Sequence, residues 1–485
     1  MAEFLNPDIC VIGAGSGGLS VAAGASQMGA KVVLIERAKM GGDCLNSGCV
    51  PSKAAIAAAH AAQIMRTADK FGINAVEPTV NFQNVHDHIH GVIAGIAPND
   101  SVERFEGLGV TVIQEEGSFT GTDEVTAGDF VIQAKKFVIA TGSSAGVPPI
   151  PGIDSTPHLT NESVFEINER PDHLIVIGGG PIGCELAQAH RRLGTKVTLL
   201  EMFSVLGKDD PEVTEVVKKR MIEEGIDIRE GVKITKVSKE TNGVSVHIES
   251  PGSPGSTESA GKEEIIGGSH LLIAAGRSPN VDALNLAAAN IEFDRKGITV
   301  DARLRTSNKR VFAIGDVAGG MQFTHAAGYH AGIIIRNILF KLPAKVNYDA
   351  FPWVTYTDPE IAHVGKTELQ AKETLRSDVR ILRFPFAEND RAQAERDTDG
   401  MIKVVTDKKG RILGCSMAGP RAGELILPWA LAISQKMKIG AMASVVAPYP
   451  TLSEISKRAA GSFYTPSLFS EKTKKIVRFL LKLPF

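Results

Sequence analysis

Two Gly-x-Gly-x-x-Gly turns, each set between an apolar strand and a helix, predict an α/β chain with two Rossmann-like dinucleotide-binding domains. Each turn is followed, about 20 residues on, by an acid closing a second strand. A change of composition near Lys345 predicts a further, C-terminal α+β unit. At 485 residues the chain exceeds what one core organises, so several domains are expected. The expected divisions are 1–150 and 151–276 for the two dinucleotide-binding domains. Residues 277–344 form a central segment belonging with the first, and 345–485 form the C-terminal unit with a basic tail.

The totals exclude several classes. Lys plus Arg is 53 against 55 Asp plus Glu, a net charge of −2, which leaves no electrostatic footprint for nucleic acid. Five cysteines, an odd number, do not make a secreted disulfide framework. The opening MAEFLNPD lacks the basic and apolar stretches of a signal peptide, and no apolar run approaches the roughly 20 residues that span a bilayer. A soluble, cytoplasmic protein is the expectation.

The first unit opens with the apolar run Ile9 to Ile12, a buried strand by length and flanks. Gly13 makes the tight turn, Gly15 lets a pyrophosphate approach the backbone, and Gly18 lets helix pack on strand. The helix N-terminus then offers N–H groups to phosphates. Lys31 to Ile35 is the second strand, and Glu36 at its end can accept hydrogen bonds from an adenosine ribose.

The stretch GGDCLNSGCVPSK, from Gly41 to Lys53, follows. Cys44 and Cys49 can close a small disulfide loop if a helical turn begins at Cys44. Gly41, Gly42 and Gly48 permit a tight turn and close approach to a cofactor. A thiolate at a helix N-terminus has a lowered pKa, so the pair reads as redox-active. No second Cys/His cluster has the spacing of a four-ligand zinc site. Cys10, Cys184 and Cys415, in or beside apolar runs, read as buried free thiols.

Ala54 to Lys70 reads as an alanine-rich helix. His86, His88 and His90 lie on the next helical stretch. His86 and His90 stand at i, i+4, but the sequence places no acid beside them, so they read as a solvated face and no metal site is assigned. Val110 to Ile113 and Phe130 to Ile132 read as strands of an antiparallel excursion. Phe137 to Gly142 is a strand ending in small residues, Ala140, Thr141 and Gly142, where the chain must pass close to something flat.

Val147 to Pro151 reads as a domain crossing. The second unit repeats the pattern: strand Leu174 to Ile177, then Gly178, Gly180, Ile182 and Gly183, then strand Lys196 to Leu200 ending at Glu201. A carboxylate there bonds a free 2′-hydroxyl and repels a 2′-phosphate, so NAD(H) is expected and NADPH is less favoured. Ser250 to Gly261, rich in Pro, Gly and Ser, reads as a hairpin loop. Leu271 to Gly276 repeats the small-residue strand ending, and Val311 to Ile314 is a strand closed by Gly315 and Asp316. The tail from Ser470 to Phe485 interleaves Lys472, Lys474, Lys475, Arg478 and Lys482 with apolar residues. It reads first as a terminal helix packed on its own domain or on a partner subunit, and second as a helix at a membrane surface.

The block Gly41, Gly42, Cys44, Gly48, Cys49, Val50, Pro51, Ser52, Lys53, with both fingerprints and the Gly315–Asp316 segment in order, resembles the class I pyridine nucleotide–disulfide oxidoreductases. These include dihydrolipoamide dehydrogenase, glutathione reductase and mercuric reductase. The resemblance implies a glutathione-reductase-like fold with FAD on the first unit, NAD(H) on the second and a C-terminal dimerisation domain. It implies hydride transfer between NADH and FAD and electron exchange with a Cys44–Cys49 disulfide. Cys49 is then the thiol nearest the flavin, Cys44 exchanges with substrate, and Lys53 lies by the flavin and pairs with Glu185. Gly42, Ala140, Thr141, Gly142, Gly315, Phe323, Thr324 and His325 fall at the flavin, and Asp316 hydrogen-bonds its ribityl chain. Ile182 and Gly276 fall at the nicotinamide nucleotide. The expected partners are a second subunit that completes the active site, and a small-molecule or protein-borne disulfide or a metal ion as substrate.

One position departs from the dehydrogenase pattern. There, a histidine followed five residues later by glutamate handles the thiol proton; here the segment APYPTLSE places Tyr449 ahead of Glu454. Tyrosine titrates about three units above neutrality, so using it as a base at pH 7 costs about 4 kcal/mol. Mercuric reductases resemble the chain better at this position, since they carry tyrosine, yet they use a C-terminal cysteine pair. No cysteine follows Cys415 here, which also argues against a large thioredoxin-reductase type. The expectation is therefore a dihydrolipoamide-dehydrogenase-like enzyme. The alternatives are a metal-ion reductase using Cys44, Cys49 and Tyr449, or a flavin-bearing membrane-surface protein with weak turnover.

Overall fold

The computed structural model describes residues 2–250 and 262–484. The first unit is built on a five-stranded parallel sheet in the order Val311–Ala313, Lys136–Ile139, Ile9–Ile12, Val32–Ile35, Val110–Ile113. The three central strands are apolar and almost wholly buried, as strands covered on both faces must be. Ile9 and Val11 face the helices Ser16–Gln27 and Thr324–Ile338, whereas Cys10 and Ile12 face a small mixed sheet containing Phe119, Val125 and Ile132.

Val110–Ile113 is the outer, parallel strand of this main sheet rather than part of an antiparallel excursion. Four apolar residues do not encode a direction. The helices Phe82–Ile96 and Val102–Gly107 that precede it supply the crossover that brings it back parallel. Phe130–Ile132 does lie in the small sheet, antiparallel to Val125–Ala127 and parallel to Glu3–Leu5.

The second unit is a four-stranded parallel sheet, Asp227–Glu230, Lys196–Glu201, His173–Ile177, His270–Ile273, with helices Pro181–Arg192 and Pro211–Glu223. Between its last two strands the chain makes a three-stranded antiparallel sheet from Lys233–Glu240, Gly243–Ser250 and Lys262–Gly268. The expected hairpin loop, Ser250 to Gly261, lies outside the described residues beyond Ser250, while its flanking strands pair antiparallel. The outgoing and returning connections between the two units run side by side, Ser143–Ala145 antiparallel to Arg277–Pro279. Val311–Ala313 then rejoins the first sheet.

The C-terminal unit is a five-stranded antiparallel sheet, Pro352–Thr355, Glu360–Gly365, Ile412–Gly419, Met401–Asp407, Val379–Pro385. Its core holds Trp429, Met417 and Ile455. Two ion clusters fasten it to the second unit. Buried Arg192 reaches Glu224 at 2.5 Å and Asp358 at 2.8 Å, and buried Lys403 reaches Asp210 at 2.8 Å, Glu212 at 2.7 Å and Glu368 at 2.6 Å. The chain ends in a helix, Glu471–Leu480, none of whose residues is buried. Of the two packings expected, the one on its own domain is not found, and the one on a partner subunit is not represented in a single chain.

Candidate active site

Both fingerprints fold alike. Gly13 has φ +105° and Gly178 φ +113°; a Cβ on either would stand 2.4 Å from the carbonyl oxygen of Ala140 or Ala274, so each turn is pressed against the neighbouring strand end. A Cβ on Gly18 or Gly183 would meet the carbonyl oxygen of Gly13 or Gly178 at 1.8 or 1.9 Å, which is the close helix–strand packing expected of the third glycine. The middle glycines differ. A Cβ on Gly180 would find nothing within 4 Å, and one on Gly15 only Gly42 Cα at 3.9 Å. These are two open cradles at helix N-termini, which a side chain would fill and a pyrophosphate fits.

The acids are arranged in the same way twice. Glu36 accepts from the Ala14 N–H at 2.6 Å and the Ala38 N–H at 2.8 Å; Glu201 accepts from the Gly179 N–H at 2.6 Å and the Phe203 N–H at 2.8 Å. Each carboxylate is thereby clamped at the rim of its cradle with lone pairs to spare for a ribose.

Both cradles open onto one cavity of about 2420 Å³, well above the ~300–1,000 Å³ of a single small-ligand pocket. Of the sequence-assigned residues, Gly13, Gly15, Glu36, Gly42, Cys44, Cys49, Lys53, Ala140, Thr141 and Gly142 line it, as do Gly315, Asp316, Phe323, Thr324 and His325. Gly178, Gly180, Ile182, Glu185, Glu201 and Gly276 line it from the second unit. Gly18 and Gly183 are spent on packing. Tyr449 and Glu454 do not line the cavity of their own chain; Tyr449 is 70% exposed, and its hydroxyl donates to Asp390 at 3.0 Å.

The cysteines sit on two helices, not on one turn beginning at Cys44. Cys44 lies within the short helix Gly42–Asn46, and Cys49 starts the long helix Cys49–Arg66. Gly48, between them, has a backbone (φ −125°, ψ −113°) that breaks the helix. The two are free thiols that hydrogen-bond to each other. That bond lowers the Cys49 thiol to about 6, aided against burial by the Thr324 hydroxyl and the Lys53 charge. The same bond, with burial, pushes Cys44 far up. Near neutral pH the pair therefore holds one proton, with Cys49 as the thiolate at a helix N-terminus.

The surroundings explain the rest of the electrostatics. Lys53 Nζ lies 2.8 Å from Glu185 and 4.2 Å above the Tyr356 ring, while the Tyr356 N–H donates to the other Glu185 oxygen at 2.9 Å. Ser143 donates to Asp316 at 2.6 Å, and burial raises the Asp316 pKa. His325 stacks on Phe351 with centroids 4.7 Å apart and reaches the Pro352 carbonyl at 2.8 Å.

Two contributors, Arg277 and Asn161, have no signal in the sequence, and a third, Thr324, has a contact beyond the one expected of it. Thr324 Oγ1 stands 3.2 Å from Cys49 Sγ, so its role extends beyond the flavin side. Arg277 donates to Ser143 at 2.7 Å and lies 3.1 Å from Asp43, tying the returning connection to the redox segment. Asn161 donates to Asp43 at 3.0 Å and to the Ser47 carbonyl at 3.2 Å. Each contact spans more than a hundred residues, and no local pattern announces it.

Away from the cavity floor, folding brings Glu166 beside His86 and His90, the acid that sequence did not place; one ligand atom from each lies within 4.8 Å of the others. Two of the ring nitrogens already have partners, His86 with Asp87 at 3.1 Å and His90 with the Phe165 carbonyl at 3.2 Å.

Two dinucleotide cradles opening onto one thiol–thiolate pair define a flavoprotein disulfide oxidoreductase. Comparison with known proteins agrees: residues 7–331 match the pyridine nucleotide-disulphide oxidoreductase family and residues 351–460 its dimerisation domain. The chain is 35% identical to a mercuric reductase of Bacillus cereus over 459 residues, 94% of this chain and 71% of that protein. It is 34% identical to a dihydrolipoyl dehydrogenase of Geobacillus stearothermophilus over 467 residues, 94% of this chain and 96% of that protein. Among solved structures, the HOCl-induced flavoprotein disulfide reductase RclA of Escherichia coli superposes with a TM-score of 0.81 at 28% identity, covering 94% of this chain and 99% of that one. The chain therefore belongs to the pyridine nucleotide–disulfide oxidoreductase family, whose members bind FAD and NAD(P)H. Among the described residues, no helix is long and apolar enough to cross a membrane.

Proposed function

We propose that the protein is a homodimeric NADH-dependent disulfide reductase of dihydrolipoamide-dehydrogenase-like chemistry. The observation that carries this reading is the pair of free thiols, Cys44 and Cys49, in the cavity onto which both nucleotide cradles open. FAD, which the Gly13–Gly15 cradle and Glu36 would hold, would supply the two-electron redox link between nicotinamide and sulfur. The chain's own residues do the rest. Glu201 selects the free 2′-hydroxyl of NADH, and Lys53, held by Glu185 and Tyr356, sets a fixed positive charge beside Cys49. In the outward half, Cys44 sulfur attacks one sulfur of the substrate disulfide, its proton passing to Cys49. One substrate thiolate leaves and a mixed disulfide forms. Cys49 gives that proton up to the first leaving thiolate, attacks Cys44 sulfur and restores the Cys44–Cys49 bond, and the second substrate thiolate leaves and takes a proton that solvent ultimately supplies. Two electrons leave the protein, and two protons complete the two product thiols.

The partner subunit's Tyr449 is the proposed donor of a proton to a leaving thiolate. The Asp390 carboxylate raises the Tyr449 pKa, so it holds its proton more firmly than ordinary tyrosine. That keeps it protonated near pH 7 and unavailable as a base, so its part is to donate, as a weak acid that must turn from Asp390 toward the leaving sulfur. Tyr449 also supports a second reading, a metal-ion reductase in which the same dithiol holds a soft cation, since soft metals prefer thiolate.

The test is steady-state NADH oxidation by the purified holoenzyme with lipoamide as acceptor and, in parallel, mercuric ion. Lipoamide turnover supports the first reading. Metal-dependent NADH loss with negligible lipoamide turnover replaces it with the second.

A further inference from the structure

Residues 461–485 lie beyond both family matches. They are not needed for either cradle, and they end in the helix Glu471–Leu480. At 100° per residue, Thr473, Ile476 and Leu480 fall in one line, flanked by Val477 and Phe479. Lys474, Lys475 and Arg478 fall on the opposite side, and Lys482 continues that side in the next turn, while Lys472 stands beside Phe479 on the apolar side, where its long stem lets the charge reach the surface. The apolar side is bare: Ile476 is 49% exposed, Leu480 54% and Phe479 63%. The helix is firmly started, with Ser470 capping the Thr473 N–H and the Thr473 hydroxyl donating to the Ser467 carbonyl at 2.7 Å. It is thus a formed helix whose apolar face its own chain leaves uncovered.

We propose that this helix lies in the plane of an anionic phospholipid surface and holds the enzyme there. Charge selects the occupant. The segment 470–485 carries five cations against one acid, Glu471, which already pairs with Lys474 at 2.8 Å, in a chain whose net charge is −2. Two copies of so basic a helix repel each other, whereas an anionic bilayer attracts the cations and takes up the Phe, Ile and Leu side chains between them. The helix, of 10 residues, is too short to span a bilayer. In a homodimer two such helices act together, so weak individual contacts add through effective concentration.

The experiment is flotation of the FAD-loaded full chain with phosphatidylcholine–phosphatidylglycerol vesicles and with pure phosphatidylcholine vesicles. Ile476→Asp/Leu480→Asp serves as the variant, with light scattering for oligomeric state. The full chain should float with the anionic vesicles, lose more than about tenfold in binding on neutral ones, and weaken with salt. The double variant should stay unbound, with flavin content and NADH turnover unchanged. Absence of flotation on anionic vesicles, or equal flotation of the double variant, overturns the proposal. So does conversion of the double variant from dimer to monomer, which makes the face a seam between subunits.

Discussion

At the residue scale the account turns on Cys49 and the groups that hold its proton away. Its pKa of about 6 lies below the ordinary ~8.5 of a free cysteine. Because the folded value is depressed, the thiolate is absent well below pH 6 and present above it. Alkylation of the reduced holoenzyme should rise through an apparent pKa near 6, and a profile rising only above 8 would remove the assigned thiolate. Thr324→Val deletes the hydroxyl 3.2 Å from the sulfur and should move that profile upward. An unmoved profile would confine Thr324 to packing. Glu201→Arg should shift the NADPH/NADH ratio of kcat/KM upward by about tenfold or more; an unchanged ratio would show that Glu201 does not meet the ribose.

At the element scale the structure rests on repeated local rules and on a few long-range clusters. Arg192 is the clearest cluster, a buried guanidinium joining the second unit through Glu224 to the C-terminal unit through Asp358. Arg192→Met leaves buried Glu224 without its cation, and equilibrium urea unfolding of the holoenzyme should show a loss of about 3–5 kcal/mol. A loss below about 1 kcal/mol would mean the cluster relaxes into water. The same division explains what was legible beforehand. Gly13, Gly15 and Gly18, and their counterparts Gly178, Gly180 and Gly183, are local: turn, cradle and packing contact fall within six residues, so sequence displays them. The Lys53–Glu185 pair was reachable only through family resemblance, since 132 residues separate its members. The direction of Val110–Ile113 was misread because four apolar residues look the same in either orientation. Thr324 was placed at the flavin, but its contact with Cys49 depends on a helix from the far end of the domain. The tail pattern was visible, yet only coordinates show its apolar side uncovered.

At the scale of the whole molecule the open question is who completes the site. Tyr449 faces away from its own cavity, on a loop held by Asp390, and the chain carries a dimerisation domain at residues 351–460. If the partner subunit's Tyr449 serves each site, Tyr449→Phe should slow disulfide turnover by roughly 10²-fold or more, as loss of a proton donor does. Heterodimers of Cys44→Ala with Tyr449→Phe chains then regain one intact site and roughly half of wild-type activity. No recovery in such heterodimers would assign Tyr449 to its own chain.

The central claim is that electrons from NADH reach the Cys44–Cys49 pair. It is tested most directly by counting thiols in the oxidised holoenzyme before and after anaerobic NADH, with a disulfide-exchange reagent under native conditions. Cys10, Cys184 and Cys415 are buried and stay silent in both states. The account predicts two new reactive thiols per subunit in the wild type and none in Cys44→Ala, which still binds FAD. Full bleaching of the flavin by NADH with no new thiol in the wild type would contradict it.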